Sequence, residues 1–496
     1  MKDLKELCKD FEYEILAGDM AGGYTEFVTD NRKLTEGCVY VCIKGANFDG
    51  HTCIAQAVAA KAALIVVERP LEETDIPEGS GISTIIRVSS TREAMARISC
   101  AHYDHPSESL FTIGITGTKG KTTTTYLIKS ILEQAGRKVG LIGTIETIIG
   151  DEHIPAANTT PDSPVLQKLL RRIADSGCDS VVMEVSSQGL MLHRTLGINF
   201  DTGIFTNIEP DHIGPNEHTD FDQYIRCKSM LFSQCKTGIV NADDEHIDRI
   251  LENATCDIVK YGLRPGLDYS AENISFVGHG SHLGMEFDVS GRANYRVSVN
   301  MPGKFSVYNA LCAIAVCDCM GINADTVKRA LPNGHVKGRI EPVKVSDDFT
   351  LLIDYAHNAM ALESLLTTLR EYDPGRLVCL FGCGGNRDRN RRFEMGEVSG
   401  RLADLSVITS DNPRNEDPLA IIEDIKTGIS KTDGEYIEIP DRKEAIRYCI
   451  KNGQPGDIIV LAGKGHEDYQ EICGVKHPMD ERVLIKEILE EEGIKI

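Results

Sequence analysis

A stretch rich in glycine, lysine and threonine, residues 114–125, has the residue types and the spacing to hold a chain of phosphates. An apolar, β-prone run (110–115) precedes the turn and residues with helical spacing (126–135) follow it, which predicts a strand, a tight turn and a helix. Such a turn offers phosphates backbone N–H groups, a helix N-terminus and one ammonium. We expect Lys121 to lie against the terminal phosphates and the hydroxyl of Thr122 to face Mg²⁺.

The stretch departs in one place from the common phosphate-loop pattern. That pattern has a glycine five residues before Gly120, where this chain has Ile115, flanked by Gly114 and Gly117. A Gly-Lys-Thr sequence also occurs by chance in unrelated proteins. The predicted strand before it and the predicted helix after it favour the functional interpretation.

Length and composition exclude several classes of protein. A chain of 496 residues is long enough for about two to four domains with buried cores. The net charge of −22 argues against a nucleic-acid scaffold, although local basic residues can still bind anionic ligands. The 16 cysteines contain no C-x-x-C pair, the N-terminus has no signal-peptide core, and no apolar run reaches the ~20 residues of a membrane span. We therefore expect a reduced, cytoplasmic protein with no nucleic-acid partner and no membrane span.

Two boundaries, near residues 105–107 and 333–335, divide the chain into predicted domains 1–107, 108–335 and 336–496. Short strands and helices mix in the first part and alternate in the other two, which predicts an α/β fold. Several strand-like runs end in unusual polar sequences. Because open α/β sheets bind ligands beyond the carboxyl ends of their strands, we expect one large active site shared between domains.

Polar residues after the predicted strands are candidate ligands, and each also has a simpler explanation. Glu184 closes an apolar run and suits Mg²⁺, but an ordinary capping or salt-bridged glutamate fits the pattern equally well. His212 could add a second metal ligand, although a single histidine in a loop usually has no such role. Lys228 lies in a helical segment, where a lysine is ordinarily solvated. Arg391 and Arg392 are compatible with a charged helix face.

Eight short motifs occur along the chain in a fixed order. They are GTKGKTT (117–123), MEVSS (183–187), FTNI (205–208), GRIE (338–341), DYAH (354–357), FGCGG (381–385), DNPR (411–414) and GKGHE (463–467). In this order they resemble the Mur ligases of peptidoglycan synthesis, and within that family the tripeptide-synthetase branch. The resemblance covers essentially the whole chain, and the last three motifs are the most specific to that branch. Folylpolyglutamate synthetase, a distant relative, shares mainly the phosphate loop.

The resemblance implies an α/β fold of three domains. An N-terminal UDP-sugar-binding domain and a C-terminal Rossmann-like amino-acid-binding domain would flank a central P-loop ATPase-like domain with a parallel or mixed sheet.

The implied reaction begins when ATP phosphorylates a carboxylate of UDP-N-acetylmuramoyl-L-alanyl-D-glutamate. The amine of a diamino acid then attacks the acyl phosphate, and a tetrahedral intermediate collapses to an amide, ADP and phosphate. Mg²⁺ and Lys121 would screen the repulsion between the phosphoryl group and the carboxylate. The implied partners are these small molecules, and we expect a monomer.

The resemblance also implies roles for individual residues. The expected catalytic residues are Lys121, Lys228, Glu184 and His212. The expected metal ligands are Thr122, Glu184, His212 and Lys228, the last after carbamylation by CO₂. That reaction needs an uncharged amine, so the pKa of Lys228 must be lowered by burial or by nearby cations. The expected ATP contacts are Gly117, Thr118, Lys119, Gly120, Lys121, Thr122, Thr123, Asn309, Arg339, Asp354 and Tyr355. The expected contacts to the UDP-muramoyl-dipeptide are Asp30, Asn31, Arg32, Asn158, Thr159, Thr160, Ser186 and Arg194. The expected contacts to the diamino acid are Arg387, Asn412, Arg414, Gly463 and Glu467.

Two groups of departures from the family pattern point to different diamino acids. Gln188 and the segment 211–218 are more similar to the branch that adds L-lysine, whereas residues 411–414 are similar to the branch that adds meso-diaminopimelate. Arg414 lies in the amino-acid pocket itself and can bind the distal carboxylate that lysine lacks. The sequence therefore favours meso-diaminopimelate, with L-lysine as the alternative. Lys119 replaces the usual asparagine and would place a second cation near the triphosphate.

Two other kinds of protein remain compatible with the sequence. An amide ligase that acts on a different acceptor would explain why Asn31 stands where a serine usually precedes Arg32. A catalytically silent ATP-binding module would need no metal site, and the intact Lys121, Glu184 and Lys228 argue against it.

Overall fold

The computed structural model describes residues 2–77, 83–211, 213–214, 217–279, 282–334 and 336–494. The chain forms two compact units, Met1–Tyr261 and Gly262–Ile496. Both units contain parallel strands and helices, which confirms the predicted α/β class. The finer division into domains 1–107, 108–335 and 336–496 stays a prediction. No helix among the described residues is long and apolar enough to cross a membrane.

The N-terminal part of the first unit contains a five-stranded sheet. Its strands and helices are β1 (Lys2–Asp3), α1 (Leu4–Leu7), β2 (Glu14–Ala17), β3 (Gly23–Tyr24), β4 (Phe27–Val28), β5 (Val39–Val41), α2 (Ile54–Ala59), β6 (Leu64–Val67), β7 (Thr84–Arg87) and α3 (Thr91–His102). The sheet has the order β2-β7-β6-β5-β4 and is parallel except for β2, while β1 pairs with β3. Strand β6 is apolar throughout because both of its faces are buried.

The rest of the first unit contains the sheet that carries the phosphate loop. Its strands are β8 (Phe111–Thr116), β9 (Val139–Ile142), β10 (Glu146–Ile149), β11 (Glu152–Pro155), β12 (Ser180–Glu184), β13 (Phe200–Phe205), β14 (Cys235–Asn241) and β15 (Asp257–Gly262). Its helices are α4 (Lys121–Gln134), α5 (Ser163–Asp175), α6 (Ser187–Met191), α7 (Phe221–Ser229) and α8 (Ile247–Ile250). Strands β9, β12, β8, β13, β14 and β15 are parallel neighbours in that order, and β10 and β11 extend the sheet with antiparallel pairing.

The phosphate loop follows β8, a strand that lies between β12 and β13 in this sheet. Strand β12 pairs with one side of β8, so that Glu184 lies beside Ile115, and β13 pairs with the other side, so that Phe205 lies beside Thr116. The turn after β8 therefore runs between the segments that follow β12 and β13. Gly117 has a φ of 151°, and a Cβ there would lie 1.9 Å from a threonine hydroxyl in the loop after β13. Only glycine fits at this point of the loop.

The second unit contains three antiparallel strands and a separate six-stranded sheet. The antiparallel part consists of β16 (Tyr269–His279), β17 (His282–Gly291), β18 (Tyr295–Val299), α9 (Lys304–Cys319) and α10 (Ala324–Ala330). The strands of the six-stranded sheet are β19 (Glu341–Val343), β20 (Thr350–Asp354), β21 (Leu377–Phe381), β22 (Leu405–Ile408), β23 (Tyr436–Glu438) and β24 (Ile458–Ala462). Its helices are α11 (Ala359–Arg370), α12 (Asn390–Leu402), α13 (Pro418–Ile429), α14 (Arg442–Asn452) and α15 (Glu481–Glu491). A hairpin of β25 (Tyr469–Ile472) and β26 (Val475–Pro478) follows β24.

The strand order of the six-stranded sheet brings four polar motifs to one edge. The order is β19-β20-β24-β21-β22-β23, and all neighbours from β20 to β23 are parallel. The segments after the central strands are residues 354–357, 463–467, 382–387 and 410–414. Because carboxyl ends of parallel strands share an edge, these segments meet there.

One expectation from the sequence needs correction. The predicted charged helix face is wrong for Arg392, which is buried in α12. Its guanidinium pairs with Glu416 at 2.8 Å and with Asp424 at 3.0 Å.

Candidate active site

Two lysines converge on the carbonyl oxygen of Gly117 in the phosphate loop. Lys121 begins α4, and its Nζ donates hydrogen bonds to the carbonyl oxygens of Gly117 at 2.8 Å and Thr118 at 3.0 Å. Lys228 lies in α7, and its Nζ donates to the same Gly117 oxygen at 2.8 Å. The fold thus brings together two lysines that are 107 residues apart in the sequence.

Lys228 is not the solvated lysine that its sequence context suggests. The residue is 1% exposed, and its Nζ lies 4.5 Å from the ring centroid of Tyr224. Burial lowers the pKa of Lys228 well below its ordinary value of 10.5, and the ammonium of Lys121 lowers it further. An amine with a lowered pKa is uncharged more often and can act as a nucleophile.

Glu184 and Thr122 form an oxygen-rich cluster next to these lysines. The hydroxyl of Thr122 donates to Oε1 of Glu184 at 3.0 Å. Thr144, in the loop after β9, donates its backbone N–H to Oε1 and its hydroxyl to Oε2, both at 2.9 Å. Glu184 is buried, so these bonds fix the direction of its carboxylate. A hydroxyl and a carboxylate oxygen are ligands that Mg²⁺ prefers, so Thr122 and Glu184 fit a magnesium site.

The proposed metal ligand His212 lies outside the described residues. Within the part of the chain that is described, no three His, Cys, Asp or Glu side chains lie close enough to hold a metal ion together. Lys119, the expected second cation near the triphosphate, pairs through its Nζ with Glu209 at 2.7 Å. Both members of that pair are half-exposed, so a phosphate can compete with Glu209.

Several of the residues expected to contact the muramoyl-dipeptide are linked to Glu184 by hydrogen bonds, directly or through one other residue. Thr160 donates its hydroxyl to the backbone oxygen of Glu184 at 3.0 Å and accepts from the backbone N–H of Ser186 at 2.9 Å. Arg194 donates to the backbone oxygen of Thr160 at 2.8 Å. The hydroxyl of Thr159 lies 3.0 Å from that of Thr144, which binds Glu184, while Asn158 is exposed.

The expected uridine-side residues form a separate turn after β4. Asp30 accepts a hydrogen bond from the backbone N–H of Arg32 and pairs with its guanidinium at 2.8 Å. These contacts to Arg32 lower the pKa of Asp30 to about 2. The side chain of Asn31 donates to Gln56 at 3.3 Å. The described bonds of this turn stay within the N-terminal sheet region.

Three of the expected nucleotide contacts lie together in the second unit. The guanidinium of Arg339 lies 4.9 Å from the ring centroid of Tyr355, and the His466 ring lies 4.6 Å from the same ring. Asp354 ends β20, and its carboxylate accepts backbone N–H groups of residues 340 and 356, both at 2.8 Å. Burial raises the pKa of Asp354. Asn309 lies in α9 and is buried.

The expected amino-acid pocket contains a compact triad of side chains. Nζ of Lys464 donates to Oδ1 of Asn412 at 3.0 Å and to Oε2 of Glu467 at 2.7 Å. Nδ2 of Asn412 also donates to Oε2 of Glu467, at 3.0 Å. Gly463 has a φ of 109°, and a Cβ there would lie 2.9 Å from Oδ2 of Asp411, which favours glycine at this position.

Arg414 lies beside this triad with much of its guanidinium already bound. Its Nε pairs with Oε2 of Glu471 at 3.1 Å, and its Nη1 donates to the backbone oxygen of Gly385 at 2.7 Å. Its backbone N–H donates to the carbonyl oxygen of Glu471 at 3.0 Å. Nη2 has no hydrogen-bond acceptor among the described residues, so it is a donor that a bound carboxylate can use. Arg387, in contrast, is exposed.

Three family profiles match the chain: the Mur ligase family catalytic domain over residues 24–103, the Mur ligase middle domain over 115–317, and the Mur ligase glutamate ligase domain over 338–465. A protein of Caldanaerobacter subterraneus named UDP-N-acetylmuramoyl-L-alanyl-D-glutamate--2,6-diaminopimelate ligase is 42% identical over 98% of this chain and 99% of its own length. The chain belongs to the Mur ligase family.

Solved Mur ligases have the same fold as this chain. A structure of a UDP-N-acetylmuramoyl-L-alanyl-D-glutamate--2,6-diaminopimelate ligase has a TM-score of 0.74, with 28% identity over 100% of both chains. The MurF ligase of Thermotoga maritima in complex with ADP has a TM-score of 0.57, with 18% identity over 94% of this chain and 96% of its own. These similarities place the phosphate loop within the Mur ligase fold.

Several residues of this Mur ligase site are not evident from the sequence. Thr144 binds both carboxylate oxygens of Glu184, yet it is an ordinary threonine after a strand. Tyr224 lies four residues before Lys228, a helical spacing that could have indicated the contact. Lys464 belongs to the GKGHE motif, and this membership is the one feature of the sequence that could have indicated a role in the pocket. His218 is buried with Nε2 at 2.8 Å from the Ser187 hydroxyl, and no local pattern indicates that contact.

Proposed function

We propose that this Mur ligase adds meso-diaminopimelate to UDP-N-acetylmuramoyl-L-alanyl-D-glutamate in an ATP-dependent reaction of peptidoglycan precursor synthesis. The observation that carries the proposal is the convergence of Lys121, Lys228, Thr122 and Glu184 at the phosphate loop. It occurs in a chain that is similar over nearly its full length to diaminopimelate ligases.

The chemistry explains why ATP is needed. A free carboxylate resists attack by an amine, so one of its oxygens first attacks the γ-phosphorus of ATP, and ADP leaves. The amine nitrogen then attacks the acyl carbon, the bond from that carbon to the phosphate oxygen breaks, and the amine loses a proton. Lys121 stabilises negative charge on the transferring phosphoryl group. Mg²⁺, when bound by Thr122, Glu184, His212 and carbamylated Lys228, supplies further positive charge at the phosphates.

The remaining proposed contacts bind and orient the substrates. For the muramoyl-dipeptide we propose Thr159, Thr160, Ser186 and Arg194, a group that hydrogen bonds place next to Glu184. For the same substrate we propose Asn158 and the turn of Asp30, Asn31 and Arg32. For ATP we propose the loop residues 117–123 together with Asn309, Arg339, Asp354 and Tyr355.

The choice of diamino acid depends on the pocket after β21, β22 and β24. Arg414 offers a cation to the distal carboxylate of meso-diaminopimelate, and Glu467 offers a carboxylate to an ammonium. Arg387, Asn412 and Gly463 complete the proposed pocket. L-Lysine remains the second candidate, because Glu471 and Gly385 already occupy Nε and Nη1 of Arg414.

Phosphate release tests the proposal. The assay contains ATP, Mg²⁺ and UDP-N-acetylmuramoyl-L-alanyl-D-glutamate, with either meso-diaminopimelate or L-lysine, and the product is identified by mass. We expect turnover with meso-diaminopimelate that needs the UDP substrate. Preference for L-lysine would show that L-lysine, the second candidate, is the amino acid that this ligase adds. Turnover with neither amino acid would contradict both.

A further inference from the structure

The GKGHE motif contains a buried lysine to which the proposed reaction assigns no role. Lys464 is 0% exposed, whereas lysine is almost never fully buried unless it is paired. Its partners are Asn412 and Glu467, and its Nζ also lies 5.1 Å from the ring centroid of Tyr469. Apolar side chains of similar volume usually stabilise a core as well as a buried ion pair does. Stability alone therefore does not account for a lysine at this position.

The hydrogen bonds of Lys464 determine the orientation of Asn412. An ammonium only donates hydrogen bonds, so it must face the oxygen of the amide and not its nitrogen. Oδ1 of Asn412 accepts from Lys464 at 3.0 Å and from the backbone N–H of Glu471 at 2.8 Å. Nδ2 is thereby directed to Glu467, which it reaches at 3.0 Å. Without the lysine, only the Glu471 N–H and the Glu467 carboxylate would hold this orientation, and Oδ1 would lose its one charged donor.

Lys464 and Asn412 both bind the same oxygen of Glu467. They occupy Oε2, and no described residue donates a hydrogen bond to Oε1. The side chain of Glu467 is 19% exposed, so Oε1 remains accessible to a ligand. Burial acts to raise the pKa of Glu467, but the Lys464 cation and the two hydrogen bonds outweigh it and lower that pKa below its usual range. Glu467 therefore presents an ionised, fixed oxygen to the pocket.

We propose that Lys464 is a positioning residue, which fixes Asn412 and Glu467 so that Oε1 of Glu467 receives an ammonium of the incoming diamino acid. This inference rests on the proposed function. Lys464 does not contact the amino acid itself. It acts through Glu467, directly and by way of Asn412, which binds the same carboxylate.

The test measures three KM values for Lys464→Met. Removing the lysine leaves Glu467 without its cation, so KM for the diamino acid should rise roughly 10- to 100-fold, while KM for ATP and for the UDP substrate change less than about twofold. Lys476→Met is the matched control, because Nζ of Lys476 lies 3.9 Å from the same Tyr469 ring but is exposed. It should leave all three KM values unchanged. An unchanged KM for the diamino acid in a folded Lys464→Met variant would overturn the inference.

A double variant covers the case in which Lys464→Met does not fold. The variant Lys464→Met/Glu467→Gln removes both charges and avoids an unpaired buried carboxylate. If Lys464 acts through Glu467, this variant has the same KM for the diamino acid as Glu467→Gln alone. A KM for the diamino acid roughly 10-fold or more above that of Glu467→Gln would show that Lys464 acts independently of Glu467 and overturn the inference. Absence of turnover by the wild-type protein with both diamino acids would instead contradict the proposed function.

Discussion

At the scale of single residues, the carbonyl oxygen of Gly117 accepts hydrogen bonds from both lysines of the phosphate-loop site. Two ammonium groups at 2.8 Å from one oxygen would repel each other. Burial relieves this repulsion because it disfavours the charged form of Lys228, whereas Lys121 is partly exposed. The same burial favours the uncharged amine of Lys228 that the proposed carbamylation requires.

Lys228→Ala tests the role of this buried amine. We expect loss of nearly all amide formation, because the proposed metal site loses one ligand, with partial recovery on addition of formate or acetate. Phosphate release and product mass are the measurements. The control is Lys236→Ala, which removes an exposed lysine paired with Asp201. Full activity of Lys228→Ala would contradict the proposed metal site.

Arg414→Ala tests how the distal carboxylate is recognised. Nε and one N–H of Nη1 bind the protein, which leaves the two N–H groups of Nη2 and the second N–H of Nη1 for the substrate. Because Nε is occupied, we count the lost interaction as about one charged hydrogen bond. We expect KM for meso-diaminopimelate to rise about 10-fold and the KM for ATP to stay the same. Steady-state kinetics provide the measurement. If KM for meso-diaminopimelate does not change, Arg414 does not bind the distal carboxylate of that amino acid.

His466 links stability to pH. Burial, followed by the charge of Arg339, lowers its pKa from the ordinary 6.5 to about 4. The unfolded chain therefore takes up a proton below pH 6.5 that the folded chain resists, and this contribution to stability is lost as the pH falls from 6.5 towards 4. His466→Phe should weaken the pH dependence of the free energy of unfolding, measured with urea at several pH values in this range. His477→Phe, at an exposed position of β26, is the control. Equal pH dependence in His466→Phe and wild type would contradict this account.

At the scale of elements, α12 and α13 support the loop that carries Gly385 and Arg387. Arg392 of α12 reaches Glu416, whose carboxylate also accepts the backbone N–H of Asn386. Gly385 in turn accepts a hydrogen bond from Arg414. An ion pair between the buried Arg392 of α12 and Glu416, just before α13, thus holds the loop at the edge of the proposed amino-acid pocket.

Arg392→Met should destabilise the protein. Breaking a buried pair leaves Asp424 and Glu416 without one cation, at a cost of about 3 kcal/mol, the lower end of the usual range because Arg389 still pairs with Asp424. The measurement is the free energy of unfolding in urea. Arg401→Met in the same helix removes an exposed pair with Glu363 and should cost less than about 1 kcal/mol. If both variants lost a similar amount of unfolding free energy, burial would not be the reason that Arg392 matters for stability.

At the scale of the whole molecule, the charge of −22 opposes the binding of a polyanionic nucleotide. The cations at the phosphate loop must therefore act locally. Each unit has hydrophobic cores of its own. The monomeric state and the cytoplasmic location stay predictions.

A non-hydrolysable ATP analogue with Mg²⁺ should raise the melting temperature. A ligand at 100 times its Kd adds about 2.7 kcal/mol to the free energy of unfolding. We expect a smaller shift with EDTA and almost none in Lys121→Met, measured by calorimetry. Lys129→Met is the control, because Lys129 pairs with Glu133 at the surface of the same helix. An equal shift in Lys121→Met would contradict the phosphate-binding role.

The sequence by itself determined the features that depend on neighbouring residues. The strand, glycine turn and helix around Lys121 follow from residues 110–135, and the order of eight motifs indicated the family. The α/β class follows from the alternation of strands and helices along the chain. These features are readable because their causes lie within a few residues of each other.

Only the tertiary structure decided which polar residues meet and which charges are buried. Lys228 and Arg392 look like solvated residues of helices, yet both are buried against groups that are distant in sequence. The orientation of Asn412 depends on Lys464, 52 residues later. Burial and pairing of this kind result from parallel strands that align distant loops at one edge of a sheet. No local pattern encodes that alignment, because it is a property of the completed strand order.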